Sequence, residues 1–237
     1  QTAVQLLYPP RCLGCGALVQ SDYGLCGPCY RDTPFIGGTV CDACGVPLPG
    51  EPDGNRLECD DCMGGTRPWS AGRAALIYRD RARALVLALK HGDRSEVAGT
   101  AARWLARAAR PLLKPDTLIA PVPLSRLRMI KRRYNQSALL ASALARASGR
   151  DHCPDLLIRT RHTDSQDGKS AQERAENLRG AIQPHPGRRR LMASRPVLVV
   201  DDVMTSGATF AACAEACLAA GADDVCVLAL ARVVKDD

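Results

Sequence analysis

Two groups of residues in this 237-residue chain have the types and spacing that could do chemistry. The first is a set of eight cysteines in four C-x-x-C pairs: Cys12/Cys15, Cys26/Cys29, Cys41/Cys44 and Cys59/Cys62. A C-x-x-C pair can present two thiolates to one metal ion, and two pairs complete a tetrahedral zinc site. Disulfides would need an oxidising compartment, and C-x-x-C pairs are poor structural disulfides, so the expectation is zinc. The second group is the run Val197-Leu-Val-Val-Asp201-Asp202-Val-Met-Thr205-Ser206-Gly207-Ala208-Thr209. An apolar strand ends in two carboxylates, and a Thr/Ser/Gly loop then opens a helix. In open α/β sheets, ligands sit at the carboxyl ends of strands. Thr205, Ser206, Gly207, Ala208 and Thr209 offer hydroxyls and successive backbone N–H groups at a helix N-terminus, a nest for one phosphate. No Gly-x-x-x-x-Gly-Lys-Ser/Thr pattern occurs, so this is not a Walker loop. Carboxylates beside a phosphate repel it unless they address hydroxyls or a bridging Mg²⁺. A ribose 5-phosphate with free 2- and 3-hydroxyls meets both demands.

The cysteine segment repeats itself. Cys12-Leu-Gly-Cys15-Gly16 recurs as Cys41-Asp-Ala-Cys44-Gly45, each followed by a plainer pair. That order fits two consecutive ribbons, each closing its own four-thiolate site, although spacing alone does not exclude interleaved pairing. The pairs stop before Gly64–Pro68, where the composition shifts to Ala, Leu, Val and Arg. The division expected is a zinc-ribbon unit over residues 1–66 and a larger unit over 67–237.

The larger unit must position the acidic run. Strand-like stretches are Ala74–Tyr78, Thr117–Ala120, Leu156–Ile158, Val197–Val200 and Val225–Ala231. Helix-like stretches are Arg81–Lys90 stopped by Gly92, Glu96–Arg110 ended by Pro111, Asn135–Ser148 with Gly149 as C-cap, Ala171–Arg179, and Thr209–Ala220 closed by Gly221. This alternation predicts an α/β fold, a parallel sheet with helices on both faces.

Charge is unevenly spread. Residues 1–66 hold 3 Lys/Arg against 8 Asp/Glu, and residues 126–195 hold 16 basic against 6 acidic side chains. Five of the eight residues Arg126–Arg133 are basic. A partner of the larger unit is therefore expected to be anionic, a phosphorylated small molecule or nucleic acid. Aromatic residues make up only 4%, which argues against a stacking platform for single-stranded nucleic acid. Arg188–Arg190 reads as a solvated loop, and Cys153, Cys213, Cys217 and Cys226 as small core residues. Trp69 and Trp104 read as core or domain-contact residues. No apolar stretch approaches 18 residues, so no membrane insertion is expected. The first residues lack the basic start and apolar core of a secretory signal, and the expected location is the cytoplasm.

The thirteen residues Val197–Thr209 resemble the phosphoribosyl-pyrophosphate (PRPP) motif of type I phosphoribosyltransferases. The whole chain resembles the ComF family, which joins a cysteine-rich zinc ribbon to that fold. Further matches are Pro121-Val-Pro123, Arg133-Tyr134-Asn135-Gln136, the loop segment Arg159–Gln166 with Arg174, Asn177 and Gly180-Ala181, and Lys90-His91-Gly92. Departures are Tyr134 for a glycine, Met204 for a common aromatic, and Gly168 and Lys169 where the loop is often apolar. The resemblance implies that Asp201 and Asp202 hold the ribose hydroxyls with Mg²⁺ nearby, and that Thr205–Thr209 bind the 5-phosphate. It places the loop after Pro123 toward pyrophosphate, with Arg126, Arg128 or Arg133 as charge partners, and makes Gln166, Lys169 and Arg174 part of a flexible loop. A pyrophosphate leaving group needs concentrated positive charge, which the Arg126–Arg133 run supplies. The activity implied is Mg²⁺-dependent phosphoribosyl transfer. The family's link to natural competence implies an alternative: a non-catalytic PRPP sensor, or a module contacting single-stranded DNA or competence-machinery proteins.

Overall fold

The computed structural model describes residues 9–20, 24–52, 54–91, 94–125, 129, 134–160, 178 and 180–235. Arg126, Arg128, Arg133, Gln166, Lys169, Arg174 and the expected helix Ala171–Arg179 lie outside these residues, apart from Leu178.

Five strands form one parallel sheet: β1 (Ala71–Ile77), β2 (Leu118–Pro121), β3 (Asp151–His152), β6 (Pro196–Met204) and β7 (Asp224–Arg232), in the order β1-β7-β6-β2-β3. Successive side chains of a strand alternate faces, and here both faces are covered. On one face Leu198, Val200, Leu228 and Leu230 pack with three helices: α3 (Asp80–His91), α4 (Glu96–Ala109) and α5 (Gln136–Ser148). On the other, Val197, Val199, Val225 and Val227 pack with α6 (Ala208–Ala219). The expected α/β architecture is therefore the observed one.

Two expectations need correction. Leu156–Ile158 was expected to belong with the parallel sheet. Its strand, β4 (Leu157–Arg159), instead pairs antiparallel with β5 (Ile182–Pro184), a strand too short and polar to show an apolar period. The acidic pair also does not follow its strand but lies within it. β6 continues through Asp201, Asp202, Val203 and Met204 because β7 goes on pairing with it, Val203 with Ala231 and Met204 with Arg232. On the opposite side β2 stops at Pro121, paired with Val200. A proline's missing N–H suits this end of the ladder. The acidic pair thus begins where one neighbouring strand has ended. Connections leave β2 toward β3 in one direction and β6 toward β7 in the other, so this is the sheet's topological switch point.

Two short helices, α1 (Gly27–Arg31) and α2 (Asp60–Met63), begin directly after Cys26 and Cys59 in the cysteine segment. The second knuckle presses against β1. The Gly72 N–H donates to the Asp42 carbonyl, and Arg73 pairs with Asp42 at 2.6 Å. A Cβ on Gly72 would lie 2.5 Å from the Ala43 carbonyl oxygen, so only glycine permits this approach. Cys41, Ala43, Cys44 and Cys62 are consequently part of the same buried cluster as α6 and the sheet. The first knuckle docks more lightly: Arg81 and Arg94 donate to the Gly14 and Leu13 carbonyls, and Phe35 packs edge-on to Trp104 at 5.3 Å.

Candidate functional site

The eight cysteines gather as two separate groups, Cys12/Cys15/Cys26/Cys29 and Cys41/Cys44/Cys59/Cys62, which decides against interleaved pairing. Within each group all sulfur atoms lie within 4.8 Å of one another, and none is in a disulfide. The Cys15–Cys26 and Cys44–Cys59 sulfurs are 3.7 Å apart. Tetrahedral zinc at a Zn–S distance of ~2.3 Å requires about 3.8 Å between sulfurs, so both sets fit the ion. Backbone N–H groups of Gly14 and Cys26 donate to the Cys12 sulfur at 3.3 Å. Burial pushes that thiol up, but these bonds, together with those from the Cys15 N–H and the Cys29 thiol, outweigh it and bring it down to about 6.

At the switch point the acidic pair is held from two sides. The Ser137 hydroxyl donates to Asp201 Oδ1 at 2.6 Å, and the Asp202 N–H donates to the same oxygen at 2.8 Å. Lys90 Nζ lies 3.1 Å from Asp202 Oδ1. Asn135 sets the geometry: its side chain caps α5 by accepting from the Ser137 N–H, and its amide donates to the Val122 carbonyl at 3.0 Å. The Tyr134 hydroxyl donates to the Leu89 carbonyl at 2.6 Å, tying the end of α3 and thereby Lys90 to the same segment. Burial, followed by the adjacent Asp202 charge, lifts the Asp201 carboxyl to about 7, while Ser137, the Asp202 N–H and Lys90 pull it down. A carboxylate so burdened gains from any cation that arrives.

The loop beyond the acids turns on Gly207, whose φ of +86° is left-handed. A Cβ there would come within 3.0 Å of both Met204 Cε and the Trp69 ring, so the position accepts only glycine. Gly207 caps α6 with no side-chain bond, and the helix's first N–H groups face the loop without an intrahelical acceptor. Asp201 and Thr205 through Thr209 line one small cleft of about 40 Å³. The loop carbonyls are tied back by two arginines. Arg67 donates to Ser206 O at 2.8 Å, and Arg232 donates to Thr205 O at 2.7 Å and Met204 O at 3.3 Å.

Among the residues expected at the site, Asp201 and Thr205–Thr209 share one cleft, Asp202 is buried beside it against Lys90, and the buried Pro123 lies just past the end of β2. Four participants escaped the sequence reading: Ser137, Arg67 and Arg232, with Lys90 noted only as a helix end. The Asn135 cap signal locates Ser137 at the start of a helix, but nothing in the sequence points its hydroxyl at residue 201. Cys153, Cys213, Cys217 and Cys226 are buried core residues, as expected.

A double zinc ribbon followed by an α/β domain with a five-stranded parallel sheet is the class that this fold defines. Residues 3–63 match the double zinc ribbon domain family. The chain is 33% identical over 229 residues to the DNA utilization protein YhgH of Escherichia coli (strain K12), covering 92% of this chain and 94% of that protein. It is 29% identical over 228 residues to competence protein F of Haemophilus influenzae, covering 94% and 96%. The chain belongs to the family of these proteins, the ComF family. Among solved structures, it is similar to the glutamine PRPP amidotransferase of B. subtilis in complex with ADP and GMP, at 17% identity and a TM-score of 0.41, covering 61% of this chain and 30% of that one. No helix among the described residues is long and apolar enough to cross a membrane.

Proposed function

We propose that the protein binds PRPP with Mg²⁺ at the end of β6 and transfers its phosphoribosyl group to an acceptor, in the service of DNA uptake or use. The observation that carries this reading is the adjacency of an acidic pair near the end of β6 and an open helix N-terminus just beyond it, at the switch point of the sheet. A phosphate fits the N–H groups of Thr205–Thr209, and the ribose hydroxyls then fall to Asp201 and Asp202. Mg²⁺ bound beside these carboxylates would offset the charge of the pyrophosphate leaving group. Asp201 accepts from Ser137 and Asp202 faces Lys90, so both carboxylates are oriented before ligand arrives. Such pre-set charges suit a ribosyl-cation transition state and need no covalent nucleophile. Arg126, Arg128 and Arg133 are assigned to pyrophosphate because their run follows the end of β2 directly.

The context of DNA use rests on the names of the relatives, a DNA utilization protein and a competence protein. A second reading, a non-catalytic PRPP sensor or a single-stranded-DNA- or protein-binding module, is favoured by the same basic run. Pyrophosphate release from PRPP, Mg²⁺ and a panel of nucleobases separates enzyme from sensor. For the site itself the test is calorimetry on Asp201→Asn/Asp202→Asn, which is expected to lose PRPP binding while keeping its fold. Unchanged affinity at constant Mg²⁺ would refute the assignment.

A further inference from the structure

The two cysteine centres differ in what touches them. Around the first, Arg81 and Arg94 donate to the knuckle carbonyls of Gly14 and Leu13 and pair with the carboxylates of Asp32 and Glu96. Around the second, Arg232 reaches a sulfur itself, donating to Cys44 Sγ at 3.7 Å, and Arg67 lines one cleft with Cys62 and Trp69. These are the same two arginines that hold the carbonyls of Thr205 and Ser206. A third link runs through Trp69. Its Nε1–H donates to the carbonyl of Ala43, between Cys41 and Cys44, at 2.6 Å. Its ring stacks under Arg67 at 5.3 Å, meets Phe210 of α6, and closes the space beside Gly207.

The charges explain why the links are arginines. Four thiolates around one Zn²⁺ carry a net charge of −2, and the second centre is the more buried of the two. Buried charge must be neutralised nearby, and two guanidinium groups supply +2. Arg232 is itself 5% exposed, and the Nε–H groups of Arg67 and Arg232 are buried with no acceptor. Both side chains are thus committed to this interior. Metal fixes the positions of the four sulfurs and of the knuckle, and Arg232, between Cys44 and the Thr205 carbonyl, and Trp69, between the Ala43 carbonyl and Gly207, pass that order to the loop.

We propose that Arg67 and Arg232 are positioning residues that couple the second cysteine centre to the phosphate loop: metal at Cys41/Cys44/Cys59/Cys62 raises the loop's affinity for a phosphorylated ligand, and that ligand tightens the centre's hold on its metal. The coupling rests on the reading of Thr205–Thr209 as a phosphate site. Linkage requires both effects to be the same factor, and couplings between sites in proteins run about 5- to 150-fold. The first centre has no described contact with the loop and serves as the internal control.

The test uses the full-length zinc-loaded protein, with a chelating dye competing for zinc at equilibrium in the absence and presence of saturating PRPP and Mg²⁺. One of the two zinc ions is expected to be held at least 5-fold more tightly when PRPP is present, and the other to be unchanged. In Arg67→Gln, zinc content should stay at two, PRPP affinity should fall at least 5-fold, and the protection should disappear. Arg232→Gln should do the same; if it fails to fold, Arg67→Gln carries the test alone. A merely structural arginine would leave ligand protection of the metal intact. Native protein that binds PRPP yet shows no protection of either zinc overturns the coupling and spares the binding reading, as does Arg67→Gln with native affinity and protection. Native protein that binds neither PRPP nor ribose 5-phosphate overturns both.

Discussion

Asp201→Asn should make the ligand-free protein more stable at high pH while destroying its binding of PRPP. The Asp201 carboxyl sits at about 7 in the folded chain against an ordinary value of 3.8, first because it is buried and next because Asp202 is charged beside it. A folded-state value raised above the unfolded one means that the folded chain holds the proton more tightly between pH 4 and 7. Stability therefore falls as pH rises through that window and stays low above it. Three units at ~1.36 kcal/mol each set a ceiling of about 4 kcal/mol. One edge of Asp201 remains open to solvent, so roughly half of that ceiling, ~2 kcal/mol, is the expected effect at pH 8. Asparagine keeps an oxygen to accept from the Ser137 hydroxyl, so the substitution removes charge without opening a cavity. For a chain of this size ~2 kcal/mol is about 4–8 °C in Tm. The assay is thermal unfolding of both proteins from pH 4 to 8.5 without ligand or Mg²⁺. The two curves should coincide near pH 4 and separate above it, with Asp201→Asn on top. A variant less stable than the native chain at pH 8, or a difference that does not change with pH, would refute the reasoning.

Metal analysis of reduced protein should return two zinc ions per chain, and chelation should unfold the ribbons, whose cysteines are the bulk of their interior; a value below one zinc would contradict this. Gly207→Ala should cost about 1–3 kcal/mol in denaturant unfolding, since it forces a left-handed alanine against Met204 and Trp69, and should weaken PRPP binding with it. An Ala variant of native stability would disprove the fit. Arg128→Glu/Arg133→Glu should weaken PRPP far more than ribose 5-phosphate, by roughly 10- to 150-fold per lost contact, because only PRPP carries the diphosphate. Equal losses would misplace the basic run, and retained PRPP binding with a reduced salt dependence of DNA binding would assign it to DNA.

The chemistry-bearing residues were legible in the sequence because their signals are local. A C-x-x-C pair builds half of a metal site within one turn of backbone, and the ABAB repeat of the knuckles already favoured two separate ribbons. The acidic pair and the Thr205–Thr209 loop lie within nine residues, so one strand-to-helix junction assembles the whole set. Stops were equally local: Gly149 ends α5 as its type predicts. What the sequence left undecided depends on strands ending at different heights. Asp201 reaches the cleft because β2 stops at Pro121 while β7 runs on, and no window of residues around 201 contains either neighbour. Ser137, Lys90, Arg67 and Arg232 come to the site from sequence distances of 27 to 139 residues, through the packing of α3 and α5 on one sheet face and of the second knuckle on β1. Periodicity places a residue on a face of its own element and is silent on which element that face will meet. The tertiary structure alone therefore decided that the second metal centre and the phosphate loop share two arginines.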